Sequence, residues 1–227
     1  MPEYLDSTVR PLTSRRLQYL EALKNGIYNR RVFELIDETT KVLDVGCGAG
    51  GLGGRLREDK RCFVAGLELD PEMANIARSR CDQVIQADVE ELPQIPFKDD
   101  FFDVVVFADV LEHLHDPGGV LRWVRRYLSD SGYLIASIPN IGYVKVRLML
   151  LCGKFEFADY GVLDPTHLHF YVEKTARRLF EENGFRVTSF EGYNEVRDRY
   201  FLLKWAGRRW RRLFANDFII KAVKKHL

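Results

Sequence analysis

Residues 42–53 read Val-Leu-Asp-Val-Gly-Cys-Gly-Ala-Gly-Gly-Leu-Gly, and this stretch limits the folds open to the chain more than any other. Lys41 to Val45 has the character of a short buried strand, and the glycines after it form a turn that opens a helix. Glycine allows the backbone to approach a ligand with no Cβ in the way. A strand, glycine turn and helix at the head of an α/β unit place a nucleotide-type site at the carboxyl end of the strand. Two ligand charges fit such a turn. Gly46, Gly48 and Gly51 satisfy the G-x-G-x-x-G of dinucleotide binding, which seats an anionic pyrophosphate on a helix N-terminus. Asp44 favours the opposite charge, because a carboxylate two residues before the first glycine opposes a pyrophosphate and attracts a cation.

S-adenosylmethionine (SAM) carries an ammonium and a sulfonium and no phosphate. The Val42–Gly50 stretch resembles the first motif of the class I SAM-dependent methyltransferases, V-L-D-x-G-C-G-x-G. The resemblance runs over about residues 40–223. It implies an α/β, Rossmann-like sheet of seven strands in the order 3-2-1-4-5-7-6, with the last strand antiparallel and helices on both faces.

The chain after the turn fits alternating strands and helices. The run Cys62 to Leu67 is apolar throughout, as in a parallel strand buried on both faces. It ends at Glu68, about 20 residues past the glycines, where one carboxylate can accept from both ribose hydroxyls. Asp70-Pro71-Glu72 starts a helix with proline in its first turn. Gln83 to Gln86 reads as a third strand, followed by Asp88 and Val89, and Phe101 to Phe107 as a fourth. In the resembled family an acid at the position of Asp88 accepts from the adenine amino group, beside the next backbone amide. The resemblance thus assigns the cofactor to Asp44, Gly46, Cys47, Gly48, Gly50, Glu68, Leu69, Asp88, Val89 and Ala108.

Ala108 to Pro117 carries the candidate chemistry. If a helical turn starts at Asp109, then Asp109, Glu112 and His113 share one face. Three readings stand at this point. Asp109 and Glu112 form a D-x-x-E capping box; the acids and His113 hold Mg²⁺ or Mn²⁺; or His113 acts as a base. The segment also resembles the E-x-x-E-H element of the ubiquinone-pathway O-methyltransferases and of the small-RNA 2′-O-methyltransferases. There it helps to hold a divalent ion, in the RNA enzymes with a further downstream His, which makes Asp109, Glu112, His113 and His167 the implied ligands. Asp109 stands where those families have Glu.

A helix over Gly118–Leu128 and a turn at Ser129–Gly132 are expected before a fifth strand, Tyr133–Ile138. Residues 141–171 then form an insertion before the next helix, in the part of such folds that builds the acceptor pocket. In an extended conformation His167, His169 and Tyr171 lie on one side. His167, His113 and His169 are the candidate catalytic residues, with His167 ranked first as general base. Ser137-Ile138-Pro139-Asn140, Gly153-Lys154-Phe155 and Leu163-Asp164-x-Thr166-His167-Leu168 together resemble a bacterial methyltransferase subfamily of cell-surface glycan and natural-product pathways. That subfamily commonly has Arg at the positions of Pro165 and His169.

Helices are expected over Ser14–Lys24 and Asn29–Asp37; the resemblance makes residues 1–40 a candidate lid, with Tyr28 as a contact, and simple packing helices are the alternative, while residues 41–227 form the methyltransferase domain. Arg197 to Phe214 is basic and aromatic, which suits a solvated helix face, a membrane surface or nucleic acid. A net charge of +1 argues against a global nucleic-acid footprint. Four cysteines without C-x-x-C spacing, and no apolar leader, suit reduced thiols in the cytoplasm. The expected reaction is SAM-dependent methyl transfer to a hydroxyl of a small molecule or glycan precursor. RNA 2′-O-methylation, an NAD(P)-dependent dehydrogenase and a non-catalytic SAM-binding protein stay open.

Overall fold

The computed structural model describes residues 13–194 and 213–225. The basic aromatic segment therefore lies outside the described residues, apart from its last two positions. Seven strands form one sheet in the order β3-β2-β1-β4-β5-β7-β6. In chain order they are β1 (Lys41–Val45), β2 (Phe63–Glu68), β3 (Gln83–Gln86), β4 (Phe102–Ala108), β5 (Leu128–Pro139), β6 (Phe185–Tyr193) and β7 (Asp217–Lys224). The first five run parallel, and β7 pairs antiparallel with both β5 and β6. This is the expected topology.

The helices are α1 (Ser14–Lys24), α2 (Arg30–Leu35), α3 (Gly51–Lys60), α4 (Pro71–Ala77), α5 (Pro117–Arg125), α6 (Val144–Leu151) and α7 (Glu173–Glu182). Alternation along the strands feeds two cores, one on each face of the sheet. Val42, Val64, Val104 and Val106 pack with Val32 of α2 and Leu52 and Leu56 of α3. Leu43, Val105 and Phe107 point the other way, into a larger core with Leu121 and Val124 of α5 and Phe180 of α7. Burial on both faces explains the unbroken apolar runs of β2 and β4.

Several expectations are corrected. The helix expected over Asn29–Asp37 begins one residue later, because the Asn29 side chain caps it by accepting from Arg31 and Val32 N–H, and it ends at Leu35. Ser129–Gly132 is not a free turn but part of β5. The register jumps there, from Phe102 opposite Leu128 to Val104 opposite Tyr133, so the extra residues are taken up as a bulge. The helical turn expected from Asp109 is absent: Asp109 has φ 56°, and a 3-10 turn covers Leu111–His113 instead. Asp tolerates this left-handed conformation better than most side chains. The capping-box reading falls with it, because the Asp109 carboxylate accepts from the Ser137 hydroxyl of β5 at 2.7 Å.

No helix of the described residues is long and apolar enough to cross a membrane.

Candidate active site

The carboxyl ends of β1 and β4 open into a cavity of about 350 Å³, within the usual size range for small-ligand sites. Its floor is the glycine turn. Gly46, Gly48 and Gly50 have φ of 71°, 54° and 74°, the last as N-cap of α3, a left-handed backbone that glycine adopts without strain. A Cβ on Gly51 would come within 2.5 Å of the Gly26 carbonyl oxygen, just past α1. The last glycine of the dinucleotide-like motif is thus required by the chain above it.

Asp44 lines this cavity although its residue is only 2 % exposed. Burial, then the nearby Glu68 charge, raises its carboxyl to about 7. A cation beside it would restore the ionised form. Glu68 uses one oxygen to accept the Gly48 N–H at 2.7 Å and the other to accept the Asp70 N–H at 2.9 Å. It therefore shapes the loop, and each oxygen keeps a lone pair for a ligand hydroxyl. Glu68, Leu69, Asp88 and Val89 stand at the ends of β2 and β3, outside the lining of the cavity itself. Leu69 is well exposed there, and Asp88 accepts from the Glu90 N–H at 2.9 Å. The Cys47 thiol hydrogen-bonds Cys81 and is pushed up by that contact and by burial, which leaves it a packing group.

The roof comes from the N-terminal residues. Arg16, Tyr19 and Leu23 of α1 line the cavity with Ile27, Tyr28 and Asn29. Of these, sequence reasoning singled out Tyr28 alone. Two side chains fasten α1 to the insertion. Arg16 donates to Asp164 Oδ2 at 2.5 Å and to the Asp159 carbonyl at 2.8 Å. Tyr19 stacks on Tyr160 with 5.2 Å between ring centroids.

On the opposite wall Glu112, His113 and His167 converge, with ligand-type atoms all within 4.8 Å of one another. Glu112 is 1 % exposed, and neither carboxylate oxygen has a hydrogen-bond partner. Burial, followed by the Asp109 charge, raises its pKa well above the ordinary value. His167 Nε2 lies 3.9 Å from Glu112 Oε1, while its Nδ1 sits 3.3 Å from the Val162 carbonyl. Burial, then the neighbouring His113, lowers the His167 pKa. The two imidazoles meet edge to face at 4.7 Å. His113 lines the cavity, whereas His167 and Glu112 do not. Of the two imidazoles, His113 is therefore the one with direct access to the cavity.

His169 is not brought to this group. Its Nε2 lies 3.4 Å from the His115 carbonyl and its ring packs beside Tyr171. Asp109 lines the cavity but stays outside the cluster, held by Ser137. One carboxylate and two imidazoles remain, a donor set that imidazole-binding divalent ions such as Mn²⁺ or Zn²⁺ suit better than Mg²⁺. Asp164 and Thr166, which sequence reasoning used only as marks of resemblance, also line the cavity. The Asp-Pro pair before Thr166 was a turn signal for that loop.

A family profile described as a methyltransferase domain matches residues 4–189. The chain belongs to the class I SAM-dependent methyltransferases. The match takes in the N-terminal roof as well as most of the sheet. The methyltransferase is 25 % identical over 209 residues to the ubiquinone biosynthesis O-methyltransferase of Actinobacillus pleuropneumoniae serotype 5b, covering 84 % of this chain and 81 % of that one. It is 29 % identical over 206 residues to the Yersinia enterocolitica protein of the same name, covering 82 % and 75 %. A SAM-dependent methyltransferase structure from Archaeoglobus fulgidus shares the fold with a TM-score of 0.63 at 20 % identity, over 92 % of this chain and 94 % of that one. Family membership makes SAM the cofactor of this methyltransferase. The site fits it, because the buried carboxyl of Asp44 lines the cavity and suits a cationic donor.

Proposed function

We propose that the methyltransferase moves the SAM methyl group to a hydroxyl of a small molecule or glycan precursor. One observation carries this reading: a single cavity is lined by both Asp44 with the glycine turn and His113. Donor and proton acceptor thus share one chamber. Asp44 takes the SAM ammonium, Glu68 the ribose hydroxyls and Asp88 the adenine amino group. Gly46, Cys47, Gly48 and Gly50 line the donor's backbone side, with Leu69, Val89 and Ala108 as apolar contacts. Bound SAM would supply the methyl group to the acceptor oxygen and be left as S-adenosylhomocysteine, while Nε2 of His113 would take the hydroxyl proton. Holding donor and acceptor in line is itself worth several kcal/mol of barrier. The names of the distant relatives support oxygen as the acceptor atom.

The orphaned carboxylate of Glu112 favours a second reading. Glu112, His113 and His167 would hold a divalent ion there. Such an ion would polarise the acceptor hydroxyl and lower its pKa.

Incubation with methyl-labelled SAM and a panel of phenols, sugar nucleotides and short RNA tests the proposal. Label transferred to a hydroxyl of a phenol or sugar nucleotide supports it. Transfer to RNA alone, or to nitrogen alone, overturns it.

A further inference from the structure

The strongest unassigned arrangement is a line of hydrogen bonds that starts in the roof and ends on His113. Asp164 is at its centre. Its Oδ2 accepts from Arg16 at 2.5 Å, and its Oδ1 accepts the Thr166 N–H at 2.9 Å and the Thr166 hydroxyl at 2.6 Å. Burial works to raise the Asp164 carboxyl, but the Thr166 and Arg16 hydrogen bonds outweigh it and hold it below the usual range. It stays a carboxylate and can only accept. The Thr166 hydroxyl must therefore spend its single proton on Asp164. That leaves the hydroxyl oxygen as an acceptor toward His113 Nδ1, 3.2 Å away. The Thr166 carbonyl, also an acceptor, lies 3.1 Å from the same nitrogen. Two acceptors and no donor face Nδ1, so Nδ1 carries the hydrogen and Nε2 keeps its lone pair.

We infer that Asp164 and Thr166 are positioning residues that set the tautomer of His113, presenting an unprotonated Nε2 to the cavity. The assignment gives the Asp164-Pro165-Thr166 turn a purpose beyond loop closure. It deepens the reading of His113 above and takes its functional meaning from it. Nε2 is the atom needed for either a proton or a metal ion. When a proton arrives there, Nδ1–H stays bonded to the Thr166 oxygens, and neither Thr166 nor Asp164 gains or loses a proton.

The test leaves methyl transfer aside. The full-length protein, labelled with ¹⁵N-histidine and kept at a pH where imidazoles are neutral, is examined by two-bond ¹H–¹⁵N correlation. His113 is assigned by its loss in His113→Gln. The wild type is expected to show His113 in one form, with hydrogen on Nδ1. Thr166→Ser keeps that form. Thr166→Val and Asp164→Asn leave the Thr166 carbonyl as an acceptor, so the Nδ1–H form stays the major one and each variant adds a minor Nε2–H form. The double variant is no more mixed than Thr166→Val alone, because the two residues act in series. A His113 that keeps the same form in all four variants overturns the inference, as does an Nε2–H form in the wild type. Spectra as expected, with normal methyl transfer by His113→Gln, would support the inference and defeat only the base assignment.

Discussion

Tyr19 of α1 lies flat on Tyr160, the ring planes 9° apart, so a residue from the chain's first helix rests on the insertion that follows β5. Arg16, one turn earlier, is paired with Asp164 and lies 5.9 Å from the Tyr19 ring. These contacts help to hold the roof over the cavity, and α1 buries none of its residues fully.

Loosening this pair should open the roof without unfolding the sheet. An aromatic stack is worth about 0.5–1.5 kcal/mol, so Tyr19→Ala should raise the open population several-fold. Limited proteolysis within residues 13–29 should quicken accordingly, and S-adenosylhomocysteine should slow it less than in the wild type. An unchanged cleavage rate would show that α1 is held by other means.

If Asp44 receives the SAM ammonium as proposed, cofactor binding should depend on pH. Its carboxyl rises from 3.8 to about 7 on folding. The native state therefore keeps a proton that the unfolded chain gives up at lower pH. Stability from this group is full below about pH 4 and lost as pH rises to about 7, with no further loss above. Cofactor binding runs the other way, because the SAM ammonium needs the ionised form. Calorimetry in buffers of different ionisation enthalpy should show proton release at pH 6.5, with affinity rising toward pH 7.5. Asp44→Asn should bind SAM weakly at every pH and lose the slope.

The two histidines should separate in kinetics. His113→Gln is expected to lower kcat by about 10²–10⁴-fold, the range for loss of a general base, while SAM affinity stays within about twofold. His167→Gln should act through the His113 ring it touches and cost less. If His167→Gln proves the more damaging, His113 is not the base.

Much of this was legible in the sequence because it depends on local pattern. Apolar runs buried on both faces gave β2 and β4, and Asp70-Pro71 gave the start of α4, where Asp70 accepts from the Glu72 and Met73 N–H groups. Asp109 was misread because its conformation is set by a strand pairing far along the chain, Ala108 beside Ser137. Glu68 was read for its ligand role, and its grip on the Gly48 N–H went unseen because that contact crosses two strands. Arg16 and Asp164 are separated by 148 positions, and no periodicity links them.

Glu112 offers a direct test of the metal reading. With both oxygens buried and unpartnered, it should respond to an ion that supplies the missing charge. Mn²⁺ or Zn²⁺ should raise the Tm of the wild type, EDTA should reverse the gain, and Glu112→Gln should melt at the same temperature with or without the ion. No shift in the wild type would leave His113 as the sole proton acceptor.

At Gly26 and Gly51 main chain meets main chain, and neither position has a side chain that could rotate away. The chain just past α1 and the glycine turn below it are consequently in close main-chain contact. Widening Gly51 should lift α1 even though no ligand atom is touched, whereas at Gly26 the near neighbour is the Arg80 side chain and the cost of a larger residue is the left-handed φ of 87°. Sequences of this family that carry a bulkier residue at the position of Gly51 should therefore also carry a re-routed connection at that of Gly26.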